Sequence, residues 1–256
     1  MELRILAVGD VVGDEGVGYA VRRLPELRRR KNISFTVVNG ENAAGLGILP
    51  RQAEELFAAG ADVITLGNHT WNKRQIFNFL EENPYILRPA NFSKSLPGRG
   101  FLVLDMGSVR IGVLNLIGRY MMDYGPESPF LEADRLLKAL KADLILVDFH
   151  AEATSEKLAM GHYLDGRVAA VWGTHTHVPT ADGQVLPKGT GYQTDLGMTG
   201  PRESVLGIRP EQSVTFFLGG LPGRYEAAPG LCKLEGCVFT VNTDTGLCTG
   251  VERIAV

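Results

Sequence analysis

The chain has 256 residues, 45% of them hydrophobic and 21% charged, a length and balance that fit one large soluble domain over residues 1–256. Lys plus Arg number 26 against 29 Asp plus Glu, a net charge of −3 that excludes the basic excess of a dedicated nucleic-acid binder. No apolar run approaches the roughly 18 residues of a membrane span, and MELRILAVGD enters a strand without an apolar leader, so no membrane partner and a cytoplasmic protein are expected.

In the first half, strand-like and helix-like segments alternate. Arg4–Gly9 reads as a strand ending in Gly9-Asp10. Val17, Ala20, Val21 and Leu24 then repeat at helical spacing, with Pro25 expected to break or offset the helix before Leu27. Ser34–Asn39 is a second strand, ending in Gly40-Glu41-Asn42. Leu49, Ala53, Leu56 and Phe57 mark a helix stopped by Gly60. Asp62–Leu66 is a third strand, ending in Gly67-Asn68-His69, and Ile76, Phe79 and Leu80 mark the next helix, closed by Asn83-Pro84.

The middle changes character. Phe101–Met106 and Val109–Leu116 read as a hairpin around Gly107-Ser108. Ser128-Pro129 caps a helix through Leu140. Asp143–Phe149 is a strand running into His150, and a helix follows around Thr154–Leu164. Arg167–Gly173 is a strand running into Thr174-His175-Thr176-His177. Cys232–Asn242 and Leu247–Val256 form an antiparallel pair. The alternation predicts an α/β fold, and the hairpins predict mixed sheets. Cys232, Cys237 and Cys248 lack metal or redox spacing and are read as reduced, mostly buried side chains.

In open α/β sheets, ligands bind beyond the carboxyl ends of strands. Standing there are Asp10, Glu41-Asn42, Asn68-His69, His150 and His175-x-His177. Taken singly, each has an ordinary reading as a turn residue, a helix cap or a hydrogen-bonded histidine. Together they are a set of carboxylates, amide oxygens and imidazoles suited to borderline first-row metals. The set is too large for one ion and fits two ions sharing a bridge. His175-x-His177 can turn two imidazoles toward one side, each reaching a different ion. Gly9, Gly40, Gly67 and Gly173 are expected to allow sharp turns at the strand ends and to leave space there. Of the five histidines, only His162 lies inside a helix-like segment, where it reads as an ordinary or supporting residue.

In these residues the sequence resembles the calcineurin-like metallophosphoesterases, whose motifs run D-x-H, G-D-x-x-D, G-N-H-[DE], a lone His, then G-H-x-H. The matching series here is Gly9-Asp10, Gly40-Glu41-Asn42, Gly67-Asn68-His69, His150 and His175-Thr176-His177. The departures are Val12 where a His is expected, Glu41 in place of the bridging Asp, and Thr70 after the G-N-H. With GDVVG, NGEN, DFHAE, GTHTHV and TDLGMTGP, they resemble the YmdB-like subfamily over nearly the whole chain. That subfamily acts on phosphodiesters, with cyclic nucleotides as substrates.

The resemblance implies a four-layer α/β/β/α sandwich. It implies two metal ions, iron first and manganese next. Asp10, Asn42 and His177 would hold one ion, Asn68, His150 and His175 the other, and Glu41 both. It implies that water activated between the cations attacks phosphorus in a 2′,3′-cyclic nucleotide while His69 protonates the leaving alkoxide. A phosphomonoesterase, or a regulatory metal-binding protein with incidental activity, are the alternatives.

Weaker signals surround this set. Arg119 follows a strand and is a candidate phosphate contact. Asp195 is either a turn residue or a group that orients a ligand histidine. Gly45-Leu46-Gly47 is too short for a phosphate loop. Arg22, Arg23, Arg28, Arg29, Arg30 and Lys31 read as a solvated face, with a contact to RNA or an acidic partner as the unsupported alternative. The terminal strand pair packs on its own sheet or forms a homo-oligomer interface.

Overall fold

The computed structural model describes residues 1–221, 223 and 226–256. Its elements in chain order are β1 (Glu2–Val8), β2 (Asp10–Val11), α1 (Gly13–Arg30), β3 (Phe35–Asn39), α2 (Pro50–Ala58), β4 (Val63–Thr65), α3 (Ile76–Glu82), β5 (Ile86–Leu87), β6 (Phe101–Asp105) and β7 (Arg110–Ile117). They continue with α4 (Pro129–Ala139), β8 (Leu144–His150), α5 (Thr154–Leu164), β9 (Ala170–Thr174), β10 (Gln184–Val185), β11 (Gly191–Gln193), β12 (Met198–Pro201), α6 (Pro210–Phe217), β13 (Cys232–Asn242) and β14 (Leu247–Ala255).

Two mixed sheets result. The first runs β2-β12-β13-β1-β3-β4-β5, with β14 paired to β13, and the second runs β10-β11-β9-β8-β7-β6. Within the first, β1, β3, β4 and β5 are parallel, and β13 lies antiparallel to β1 from Glu2↔Asn242 to Val8↔Gly236. In the second, β7, β8, β9 and β11 are parallel, and β6 closes the edge as the antiparallel arm of the expected hairpin.

The period-two alternation of strand side chains assigns each sheet two buried faces. Leu6, Val8, Val38 and Ile64 face α1, α2 and α3. Their neighbours Ile5, Ala7, Val37 and Val63 face the second sheet, meeting Ile111, Val113, Leu146 and Trp172. The next residues along those strands, Leu114, Leu116, Val147 and Phe149, turn outward onto α4 and α5. Helices, sheet, sheet and helices therefore stack as the α/β/β/α sandwich that the resemblance implies.

One expectation fails. α1 does not end at Pro25 but continues to Arg30, with Leu27 buried. An interior proline costs about 3 kcal/mol. The buried Val17, Leu24 and Leu27 contribute about 1.5–3 kcal/mol each, which outweighs that cost. The basic residues of this helix are partly consumed locally. Arg28 binds Asp62 at 2.7 Å, Arg23 binds Glu26 at 2.9 Å, and Lys31 pairs with Glu252. Between Val178 and Leu231 the short strands β10, β11 and β12 and the helix α6 form where the sequence showed no periodic signal. No helix among the described residues is long and apolar enough to cross a membrane.

Candidate metal centre

The strand ends of both sheets converge on one point. Asp10 follows β1, Glu41 and Asn42 follow β3, and Asn68 and His69 follow β4, all from the first sheet. His150 ends β8, while His175 and His177 follow β9, from the second. Asp10, Glu41, Asn42 and His150 are buried, and Asn68, His69, His175 and His177 are half-buried. The strands bring all eight into one neighbourhood.

His150 is the hub. Its Nε2 lies 3.0 Å from Glu41 Oε1, 3.0 Å from Asn68 Oδ1 and 3.0 Å from His175 Nδ1. Its Nδ1 meets Thr174 Oγ1 at 2.9 Å, and that hydroxyl donates to Asp148 Oδ1 at 2.8 Å. Thr174 therefore accepts the imidazole N–H at Nδ1, which leaves Nε2 to present a lone pair. Three further acceptors crowd that lone pair. Glu41, His150 and His175 offer one ligand atom each within 4.8 Å of one another.

The second half of the set gathers around Asp10. Asp10 Oδ2 accepts the His175 backbone N–H at 3.1 Å. Its Oδ1 is buried with no hydrogen-bond partner among the described residues, 3.9 Å from His150 Nδ1 and 3.9 Å from His177 Nε2. His177 Nε2 lies 3.2 Å from Asn42 Oδ1. Glu41 sits between the halves, its Oε2 accepting the His69 N–H at 3.2 Å. An orphaned buried carboxylate oxygen and converging lone pairs are what a cation site leaves behind, so these residues fit metal ions.

The charge distribution agrees. Burial pulls the Glu41 carboxyl up, but the surrounding imidazoles, His150 foremost, outweigh it and hold the group down at about 2. Burial lifts the Asp10 pKa well above the usual carboxylate range. For His175, burial and the neighbouring His150 lower the pKa to about 3. Burial also lowers His177 and His69. His150 goes the other way: burial pulls it down, but the Glu41 carboxylate outweighs that and raises it. At neutral pH, His175 and His177 are neutral and available as ligands.

The glycines leave the space expected of them, while the left-handed backbone falls elsewhere. Gly9, Gly40, Gly67 and Gly173 are not in left-handed backbone; instead His175 and His177 are, at φ +98 and +62. What the glycines supply is space. A Cβ on Gly67 would stand 2.2 Å from Glu41 Oε2 and 2.3 Å from His150 Nε2, and one on Gly173 would stand 1.8 Å from the Thr194 carbonyl oxygen.

The strained pair of histidines is braced from behind. Asp195 is fully buried, and its Oδ2 accepts from Lys157 Nζ at 2.7 Å, from the Thr176 N–H at 3.2 Å and from the Thr176 hydroxyl at 2.7 Å. Thr176 lies between the two histidines, so Asp195 anchors the loop rather than a ring. Lys157, buried on α5, was missed by sequence reasoning, as were Asp148, Thr174 and Glu152, whose carboxylate lies 3.1 Å from His175 Nε2. Asp148-x-His150 carries a usable signal, because alternate strand residues share a face.

Arg119 follows Gly118, whose N–H donates to the His150 carbonyl at 2.9 Å. Arg119 itself lines a separate cavity of about 570 Å³ with Tyr120 and Glu156, and its backbone N–H donates to the Glu156 carboxylate. His162 is exposed on α5. Cys237 and Cys248 are buried, and burial raises the pKa of all three thiols.

A family model described as YmdB-like protein matches residues 6–254. A Bacillus subtilis protein named 2′,3′-cyclic-nucleotide 2′-phosphodiesterase is 45% identical over 257 residues, covering 99% of this chain and 97% of its own length. Among solved structures, a hypothetical protein from Thermus thermophilus aligns with a TM-score of 0.93 at 40% identity, over 99% of each chain. A Mycoplasma pneumoniae structure described as a novel phosphatase aligns with a TM-score of 0.95 at 34% identity, over 100% of this chain and 94% of the other. With a matching model over nearly its full length and relatives of this identity, the chain belongs to the YmdB-like family.

Proposed function

We propose that this protein, one metallophosphoesterase domain over residues 1–256, is a two-metal phosphodiesterase that opens 2′,3′-cyclic nucleotides. The observation that carries the reading is the convergence of Glu41 Oε1, Asn68 Oδ1 and His175 Nδ1 on His150 Nε2, each at 3.0 Å. The name of the Bacillus subtilis relative supports the substrate class.

In this reading Asp10, Asn42 and His177 hold one cation, Asn68, His150 and His175 hold the second, and Glu41 reaches both. The mixed oxygen and nitrogen donors suit borderline first-row metals, and the family resemblance puts iron first and manganese next. When bound, the cations lower the pKa of a water toward neutrality and neutralise charge on the phosphate oxygens. His69 gives its proton to the leaving ribose oxygen. Its half-buried imidazole follows the ligand Asn68 directly, and its Nε2 lies 3.3 Å from Asn68 Nδ2. Burial lowers its pKa, which makes the protonated ring a stronger acid toward that oxygen.

The phosphatase description of the Mycoplasma pneumoniae structure favours a second reading, phosphomonoester hydrolysis at the same site. Steady-state hydrolysis by the metal-reconstituted protein separates the two. Faster turnover of 2′,3′-cyclic nucleotides than of 3′,5′-cyclic nucleotides and p-nitrophenyl phosphate is the expected result. Preference for the monoester overturns the first reading.

A further inference from the structure

A cavity of about 540 Å³ opens beside the metal centre, with Asn68 in its wall. Its volume is in the range of small-molecule sites. Successive strand ends build it. The segment after β4 supplies Asn68, Trp71 and Asn72, the segment after β5 supplies Phe92, and the loop after β7 supplies Tyr124.

The walls are fixed. Trp71 and Phe92 meet edge to face, with ring centroids 5.1 Å apart at 75°, and the Trp71 indole N–H donates to the Pro97 carbonyl at 3.3 Å. Asn91 pins the β7 loop by donating to the carbonyls of Ile117 and Glu127, each at 2.8 Å. Tyr124, by contrast, stands at the rim, 71% exposed, with a left-handed φ of +74. An aromatic residue seldom occupies that backbone region. Its hydroxyl has no hydrogen-bond partner among the described residues.

The lining chemistry is selective. Among the described residues it contains no Lys, Arg or His, and Glu127 is the one charged side chain. Such a wall repels phosphate and suits a flat neutral ring with hydrogen-bonding edges, which Asn72 can address. Asn68 of the wall is followed directly by His69, whose Nε2 lies 3.3 Å from Asn68 Nδ2, so the cavity lies on the His69 side of the centre. That is the side on which the leaving ribose oxygen receives its proton.

We propose that this cavity is the nucleobase subsite, in which the base lies against Trp71 and Phe92 beneath Tyr124 while Asn68 joins the subsite to the metal centre. The inference rests on the reading of the centre as a nucleotide phosphodiesterase. Binding of products tests it separately from turnover. The metal-loaded protein is titrated with adenosine 3′-monophosphate and with ribose 5-phosphate, following tryptophan emission. Of the two tryptophans, Trp172 is buried in the core, so a change in emission reports Trp71.

The nucleotide should bind at least about tenfold more tightly than the base-less phosphate and should change the emission. Tyr124→Ala should erase about tenfold of that preference, the scale of base–aromatic stacking. Equal binding of the two ligands overturns the subsite, as does full preference in Tyr124→Ala. A protein that turns over cyclic nucleotides without a base preference loses only the subsite. One that prefers the nucleotide yet hydrolyses only monoesters keeps the subsite and loses the phosphodiester reading.

Discussion

The two sheets meet at the candidate centre with opposite chemistries. The first ends in oxygen donors, Asp10, Glu41, Asn42 and Asn68, and the second ends in the imidazoles of His150, His175 and His177. Their bracing differs as well. The carboxylates of the first sheet are held by backbone N–H groups, those of His175 and His69. On the second sheet buried polar side chains do the bracing: Thr174 and Asp148 hold the His150 ring, and Lys157 and Asp195 hold the loop that carries His175 and His177. The Glu41–His150 pair closes the seam. Damage to one side should therefore cost charge, and damage to the other should cost orientation and stability.

Replacement of His69, whose side chain belongs to neither bracing system, should give the largest separable effect. His69→Ala is expected to keep its metal and lose about 10²–10⁴-fold in turnover. Metal analysis beside the kinetics checks this, and loss of the ions would reassign His69 as a ligand. The pH profile carries the same information. A donor with a lowered pKa must be protonated to act, so activity falls with rising pH already below the ordinary His value of about 6.5. His69→Ala should remove that limb.

Next in size is the brace behind the imidazoles. Lys157 and Asp195 are both nearly inaccessible and paired at 2.7 Å. Lys157→Met strands a buried carboxylate and should cost about 3–5 kcal/mol in urea unfolding, and adding Asp195→Asn should recover part of it. Equal losses in the single and double variants would mean that the pair is not coupled.

The smallest expected effect is a proton count. In the metal-free protein, His150 holds its proton to a higher pH than an ordinary His because Glu41 outweighs burial, whereas His175 and His177 are already neutral. Metal binding near pH 6.5 should release a proton from His150, and affinity should rise with pH as His150 deprotonates. Calorimetry in buffers of different ionisation enthalpy reads this. Identical heats in all buffers would contradict it.

Much of this arrangement is legible in the sequence, and the gaps have physical causes. The apolar run Leu144–His150 and the helical spacing of Ala53, Leu56 and Phe57 announce their elements, and Gly-flanked polar residues at the strand ends expose the candidate ligands. α1 hides its continuation past Pro25 because the compensating burial is tertiary. β10, β11 and β12 are too short for any period to show. Lys157 sits on a helix whose pattern says nothing of Asp195, 38 residues away. Arg119 marks another gap, since a position after a strand end does not decide which cavity a long side chain lines.

The central claim is that oxygen donors of one sheet and nitrogen donors of the other hold two cations across the seam, with Glu41 common to both. Counting ions by mass spectrometry after reconstitution with iron or manganese tests it most directly. The account predicts two ions per chain in the natural protein, and in Glu41→Gln the loss of at least one ion together with activity. Fewer than two ions in the natural protein, or full metal content and full activity in Glu41→Gln, would contradict it.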